Sequence, residues 1–104
     1  MARVVIVGAG VVGLGTAMLL AGDGHRVIVL ERDPAPPPAE PAEAWKRWQR
    51  PGVNQFRLPH AFLAGFRSVL DGELPEVSKA LQAAGALRLN LVRDVLPAEM
   101  TGGW

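Results

Sequence analysis

The stretch RVVIVGAGVVGLGTAMLLAGDGHRVIVLE, Arg3 to Glu31, decides how the rest of the chain is read. It opens on a continuous β-branched run, Arg3 to Val7, of the kind expected for a central strand of a parallel sheet covered on both faces. Glycines at positions 8, 10 and 13 follow. Leu14, Ala17, Met18 and Ala21 then recur at helical spacing, and Gly22, Asp23 and Gly24 predict where the helix stops. Arg26 to Leu30 repeats the character of the first run at the distance a helical crossover requires. The expected unit is βαβ, two parallel strands with a right-handed connection, and the fold class is α/β.

The glycines spell Gly8-Ala9-Gly10-Val11-Val12-Gly13, a G-x-G-x-x-G between a strand and a helix. In the dinucleotide-binding version of this turn the first glycine turns the chain out of the strand. The second lets the backbone approach a pyrophosphate, and the third permits close helix–strand packing. Amides at the helix start, including those of Val11 and Val12, have no intrahelical partner and sit at the positive end of the helix dipole. They can hold an anion without a lysine. Glu31 ends the second strand eighteen residues after Gly13, near where an acidic ribose-binding residue is expected. A carboxylate there accepts from ribose hydroxyls and repels a 2′-phosphate, so NADP is disfavoured while FAD and NAD both remain. The competing role for Glu31 is an exposed ion pair with Arg32 or Arg26.

Composition narrows the rest. At 104 residues the chain is at most one small domain with a thin core. Eleven Lys and Arg against ten Asp and Glu give a net charge of +1, with no basic face dense enough to follow nucleic acid. The absence of cysteine removes disulfides, cysteine-ligated zinc, iron–sulfur clusters and thiol catalysis. It fits a cytoplasmic location. Val4 to Gly22 is uncharged and about long enough to span a bilayer. Its five glycines and the soluble pattern beyond it argue for a buried strand and helix instead.

Beyond Asp33 the character changes. Five prolines between Pro34 and Pro41 predict an extended connector over residues 34–50, separating a βαβ unit at 1–33 from a helical segment and strand at 51–104. Trp45 and Trp48 in WKRWQR lie on one side of a short helix or turn, and hydrophobic anchoring explains them better than base stacking. Pro59 precedes an apolar stripe of Phe62, Leu63, Phe66, Val69 and Leu70, which predicts a helix. Pro75 can start another, with Val77, Leu81 and Ala84 inward and Gly85 at its end. ALRLNLV alternates with period two, so Leu87, Leu89 and Leu91 are expected to face a core from a further strand. The final PAEMTGGW signals no terminal helix or paired strand.

The residues VVIVGAGVVGLGTAMLLAGDGHRVIVLERD resemble the N-terminal fingerprint of FAD-dependent oxidoreductases, particularly flavoprotein monooxygenases of the para-hydroxybenzoate hydroxylase fold. The specific marks are Gly-Ala-Gly at 8–10, Gly13-Leu14, Ala17, Gly24 and VLER at 29–32. Arg50 to Ala86 is similar to a segment of bacterial FAD-dependent monooxygenases, where Gly-Val-x-Gln precedes an Arg and a His, as Gly52, Val53, Gln55, Arg57 and His60 do here. The resemblance implies a partial, truncated Rossmann-like FAD-binding domain: the βαβ unit, then helices and a further strand. It implies FAD on Gly8, Gly10, Val11, Val12, Gly13, Glu31 and Arg32. Arg50 and Arg57 are candidates for the diphosphate, against simple surface solvation, and His60 for cofactor contact, against a cap or packing role.

In the full-length enzyme the same resemblance implies NAD(P)H as electron donor and hydroxylation or epoxidation of a small organic substrate. The family's later Asp-Gly and Gly-Asp motifs and its substrate domain lie beyond any position here. The chain is therefore expected to be an N-terminal fragment, inactive alone, with no catalytic residue of its own. A free-standing, non-catalytic module for NAD or an adenine nucleotide is the competing expectation.

Overall fold

The structure, a computed structural model, describes residues 1–100. β1 (Arg3–Val7) and β2 (Arg26–Leu30) pair in parallel, with Arg3 opposite Arg26 and Val7 opposite Leu30. They are joined by α1 (Val11–Gly22). The crossover closes tightly at its end. Gly24, at φ +84°, donates to Ala21 O and His25 donates to Leu20 O, the paired bonds that finish a helix with a left-handed residue. The predicted stop at Gly22-Asp23-Gly24 is the one observed.

One face of the sheet is covered and the other is bare. Val4, Ile6, Val27 and Val29 are half-buried. Val5, Val7, Ile28 and Leu30 alternate with them and are 57%, 84%, 45% and 52% exposed. The strand expected to be central and covered twice is thus one of two strands among the described residues, with a single helix against it. The α1 stripe is also only partly used. Ala17 is half-buried, together with Gly13 and Leu20, whereas Leu14, Met18 and Ala21 are exposed. Two strands about 4.8 Å apart are narrower than a helix about 10 Å across, so part of the apolar stripe overhangs the sheet.

After β2 the proline-rich segment folds back. α2 (Pro41–Arg47) begins on Pro41 and lies within the expected connector. Trp48 is the anchor there: its indole N–H donates to Ala35 O at 3.0 Å, and its ring meets Phe56 edge-on at 5.4 Å. Trp45 remains 55% exposed and anchors nothing comparable.

α3 (Ala64–Glu73) and α4 (Pro75–Ala83) form a hairpin around the single residue Leu74. Phe66, Leu70 and Val77 are half-buried in it, but Val69, Leu81 and Ala84 are exposed. Phe62 and Leu63 precede α3, and Phe62 stacks on Phe66 at 4.5 Å. A polar clasp supplements this packing. The Ser78 hydroxyl, on a residue only 8% exposed, donates to Asp71 at 2.5 Å, and Arg67 pairs with the other oxygen of the same carboxylate. Gly85 ends α4 with the same bond pair that closes α1.

The further strand is not formed. Residues 86–90 have no regular structure, and Leu91–Val95 make a π-helical turn. Period-two alternation makes a strand only beside an edge that offers ladder partners. Here local side chains satisfy the backbone instead: the Asn90 amide donates to Asp94, and the Arg93 amide donates to the Asn90 side chain. Leu87 and Leu89 are 84% and 64% exposed and face no core; the side chain of Leu91 lies outside the described residues. So do residues 101–104, while Ala98–Met100 form one 3-10 turn.

Among the described residues no hydrophobic side chain is fully buried; Asp33 and Ser78 are the buried positions. The radius of gyration is 17.0 Å, against about 13 Å for a compact domain of 100 residues. The apolar faces that the sequence patterns so clearly are mostly unpaired within the described chain.

Candidate dinucleotide site

The site is built where β1 and β2 end side by side. Gly8 leaves β1 at φ +103°, a conformation that side chains disfavour, and its amide extends the ladder to Leu30 O at 2.7 Å. Gly10 starts α1 in extended geometry, with its carbonyl accepting from Leu14, and no side chain caps this end. The Val11, Val12 and Gly13 amides therefore stay available to an external acceptor.

The three glycines differ in what surrounds them. A Cβ on Gly13 would stand 2.0 Å from the Gly8 carbonyl oxygen, so the helix can lie against the turn only because that atom is missing. A Cβ on Gly10 would meet nothing within 4 Å. Gly13 is thus required by the protein's own packing. Gly10 borders open space, which is what an approaching ligand needs.

Glu31 is tied to this turn. One carboxylate oxygen accepts from the Ala9 amide at 2.7 Å and the other from the Asp33 amide at 2.9 Å. The Asp33 and Ala9 amide bonds, with Arg50 nearby, hold its carboxyl below the usual carboxylate range despite partial desolvation. Its ion-pair partner is Arg50, at 3.2 Å, and not the Arg32 or Arg26 of the competing reading. The same guanidinium bonds Asp33 at 2.9 Å and lies 4.8 Å from the Trp48 ring centroid.

Two hollows flank the Glu31–Arg50 contact. One, of about 330 Å³, lies between Leu14, Glu31, the Pro34–Pro37 stretch and Trp48. The other, of about 390 Å³, is bordered by Gly8, Gly10, Arg32, Arg50 and Gly52. Gly8, Gly10, Glu31, Arg32 and Arg50 are therefore brought together, with Val11, Val12 and Gly13 on the adjoining first turn of α1. Arg57 is not among them. Its guanidinium donates to the Trp45 and Trp48 carbonyls at the end of α2 and lines neither hollow. His60 is exposed and lines neither.

Sequence reasoning missed Asp33, Trp48 and Gly52 as parts of the site. Asp33 is 8% exposed and accepts from the Gly52 amide as well as from Arg50. The legible signal was a second acid two residues after Glu31, with an Arg-Pro-Gly downstream to answer it.

The model of a family described as FAD dependent oxidoreductase matches residues 3–94. The chain belongs to that family. Among curated relatives, the NAD-dependent dihydropyrimidine dehydrogenase subunit PreT of Escherichia coli is 34% identical over 77 residues, covering 74% of this chain and 15% of that protein. D-amino acid dehydrogenase 2 of Ralstonia nicotianae is 50% identical over 34 residues, covering 33% of this chain and 8% of its own length. No solved structure matches the chain at a significant level. The chain thus spans only a small part of the length of the curated relatives it matches. Both relatives are named as dehydrogenases, and the comparisons place the chain among FAD-dependent oxidoreductases without distinguishing a monooxygenase branch. The family implies FAD, and the residues present fit the adenosine end of it: an uncapped helix start, an open approach at Gly10 and an ionised carboxylate beside both. No helix among the described residues is long and apolar enough to cross a membrane.

Proposed function

We propose that this chain supplies the adenosine-diphosphate end of an FAD site. The pyrophosphate rests on the turn from Gly8 to Gly13, with amides of Val11, Val12 and Gly13 facing it and Arg32 and Arg50 bordering it. Glu31 accepts from the adenosine ribose, and the hollow between Leu14, the prolines and Trp48 receives the base. The observation that carries this reading is the contrast between Gly13, closed by the protein's own backbone, and Gly10, open to a ligand on the same turn. When bound, the flavin supplies two-electron redox chemistry; this chain's residues bind and orient its far end, and none of them is catalytic.

For the whole protein the reading is an oxidoreductase acting on a small organic substrate. The likeness of residues 50–86 to monooxygenases favours oxygen insertion with NAD(P)H as donor; the names of the relatives favour dehydrogenation. Substrate-dependent oxygen consumption by the full-length protein separates the two. The binding role is tested on this chain by amide-resolved NMR. ADP should shift the resonances of residues 8–13 and 31, and riboflavin, which lacks the diphosphate and adenosine, should leave them in place. Unmoved glycine-turn amides in excess ADP would refute the proposal.

A further inference from the structure

Glu31 has little spare capacity. A carboxylate accepts about four hydrogen bonds, two on each oxygen. Oε2 already accepts from the Ala9 amide at 2.7 Å and from Arg50 Nη2 at 3.2 Å, and Oε1 accepts from the Asp33 amide at 2.9 Å. These three bonds leave one position, on Oε1, and the Arg32 amide is a further, weaker neighbour of the carboxylate. A ribose presents two neighbouring hydroxyls, and a carboxylate that captures both uses one position on each oxygen. Oε2 must then release a donor. The Ala9 bond is short and belongs to the backbone of the glycine turn. The Arg50 bond is longer than the roughly 2.7–2.9 Å usual for a charge-assisted contact, so it is the one that yields.

Arg50 also has somewhere to stay. Its Nε donates to Asp33 Oδ2 at 2.9 Å, its guanidinium lies over Trp48, and the Gly52 amide steadies the same Asp33 carboxylate. The Asp33 side chain is only 4% exposed, so this second pairing is shielded from water where the first is not. We infer that in the free chain Arg50 fills the acceptor position on Glu31 that a ribose hydroxyl takes in the complex. Asp33 is the positioning residue that retains Arg50 when that position is handed over. The inference rests on the reading of Glu31 as the ribose acceptor. Without the Asp33 carboxylate, Glu31 is the carboxylate left to Arg50 in this cluster, and the ribose must compete with a full ion pair.

The test compares ADP with 2′,3′-dideoxy-ADP on the full chain by NMR titration, because the ratio of their affinities isolates what the hydroxyls contribute. The wild-type chain should prefer ADP by about tenfold or more, the scale of a hydrogen bond to a charged group. In Asp33→Asn that preference should fall to about twofold or less, with circular dichroism unchanged. Adding Arg50→Gln to that variant removes the competitor and should restore the preference.

A purely structural Asp33 would weaken both ligands alike and leave the ratio at its wild-type value. That result overturns the inference, as does a double variant that recovers nothing. If Asp33→Asn does not fold, the double variant, which replaces the ion pair by two amides, decides alone. A preference clearly below wild type then overturns the inference. Wild-type protein that ignores ADP, or binds both nucleotides equally, overturns the ribose reading too; an ADP preference unmoved by Asp33→Asn overturns only the handover.

Discussion

Gly13→Ala adds one methyl group to the interior of a helix, where propensity alone predicts a gain of up to about 1 kcal/mol. Packing predicts the opposite sign. The new Cβ would stand 2.0 Å from the Gly8 carbonyl oxygen, and ordinary contact begins at 3.4 Å, so helix and turn must part by about 1.4 Å. Neither neighbour is a flexible side chain. The turn is held in place by the Gly8–Leu30 bond and, through Ala9, by Glu31. Overpacking costs about 1–3 kcal/mol, and a backbone clash of this depth belongs at the top, about 3 kcal/mol. In a domain this small each kcal/mol moves the thermal midpoint by roughly 4–8 °C, so Gly13→Ala should melt on the order of 12–24 °C lower. Gly10→Ala is the control. Its Cβ meets nothing and its backbone, at φ −78°, suits alanine, so stability should move by less than about 1 kcal/mol while ADP binding is lost. Circular dichroism melts with nucleotide titration on both variants provide the assay. A Gly13→Ala chain that melts at or above the wild-type temperature would refute the close-packing argument.

Arg50→Met should destabilise the chain by about 3–5 kcal/mol in urea titrations, because it strands a shielded Asp33 carboxylate. Arg67→Ala, which breaks a pair exposed to solvent on α3, should change stability by less than about 1 kcal/mol, and equal effects would contradict this ranking. Glu31 has a folded-state pKa lowered from its ordinary 4.5, so its stabilising contribution is complete above that value and is lost as pH falls through the lower folded value. Stability measured from pH 6 down to pH 2 should therefore drop less steeply in Glu31→Gln, and parallel curves would dismiss the contribution. The bare sheet face of Val5, Val7, Ile28 and Leu30 should make the isolated chain self-associate. Light scattering should show this relieved in a Val5→Lys, Ile28→Lys variant, and a monodisperse wild-type monomer would end the argument.

Local signals carried the βαβ unit well because each is set by neighbouring residues. A β-branched run, a glycine with positive φ after a helix and a proline at a helix start impose their geometry within a few positions. The same is true of α4 at Pro75 and the closing glycines at 24 and 85, whereas α2 begins at Pro41, inside the segment expected to be extended. The expectation failed where geometry depends on a distant partner. ALRLNLV has a strand's alternation, yet with no edge beside it the Asn90 and Asp94 side chains capture the backbone. Of the residues expected to face inward from α4, Val77 is half-buried but Leu81 and Ala84 are exposed, because a two-helix hairpin covers only part of such a stripe.

The sequence by itself determined the glycine turn, its strand and helix, and an acid at the end of the second strand, because spacing along the chain dictates them. Only the tertiary structure decided which arginine meets that acid. Arg32 and Arg26 are closer in sequence, but the fold of the proline-rich segment carries Arg50 back across Glu31 and Asp33 and leaves Arg57 on the α2 carbonyls. Spacing carries no information about which charges a returning loop brings within hydrogen-bonding reach. Nor does it show that Gly13 is demanded by the Gly8 carbonyl while Gly10 is left open, since that difference exists only once helix and turn are packed together.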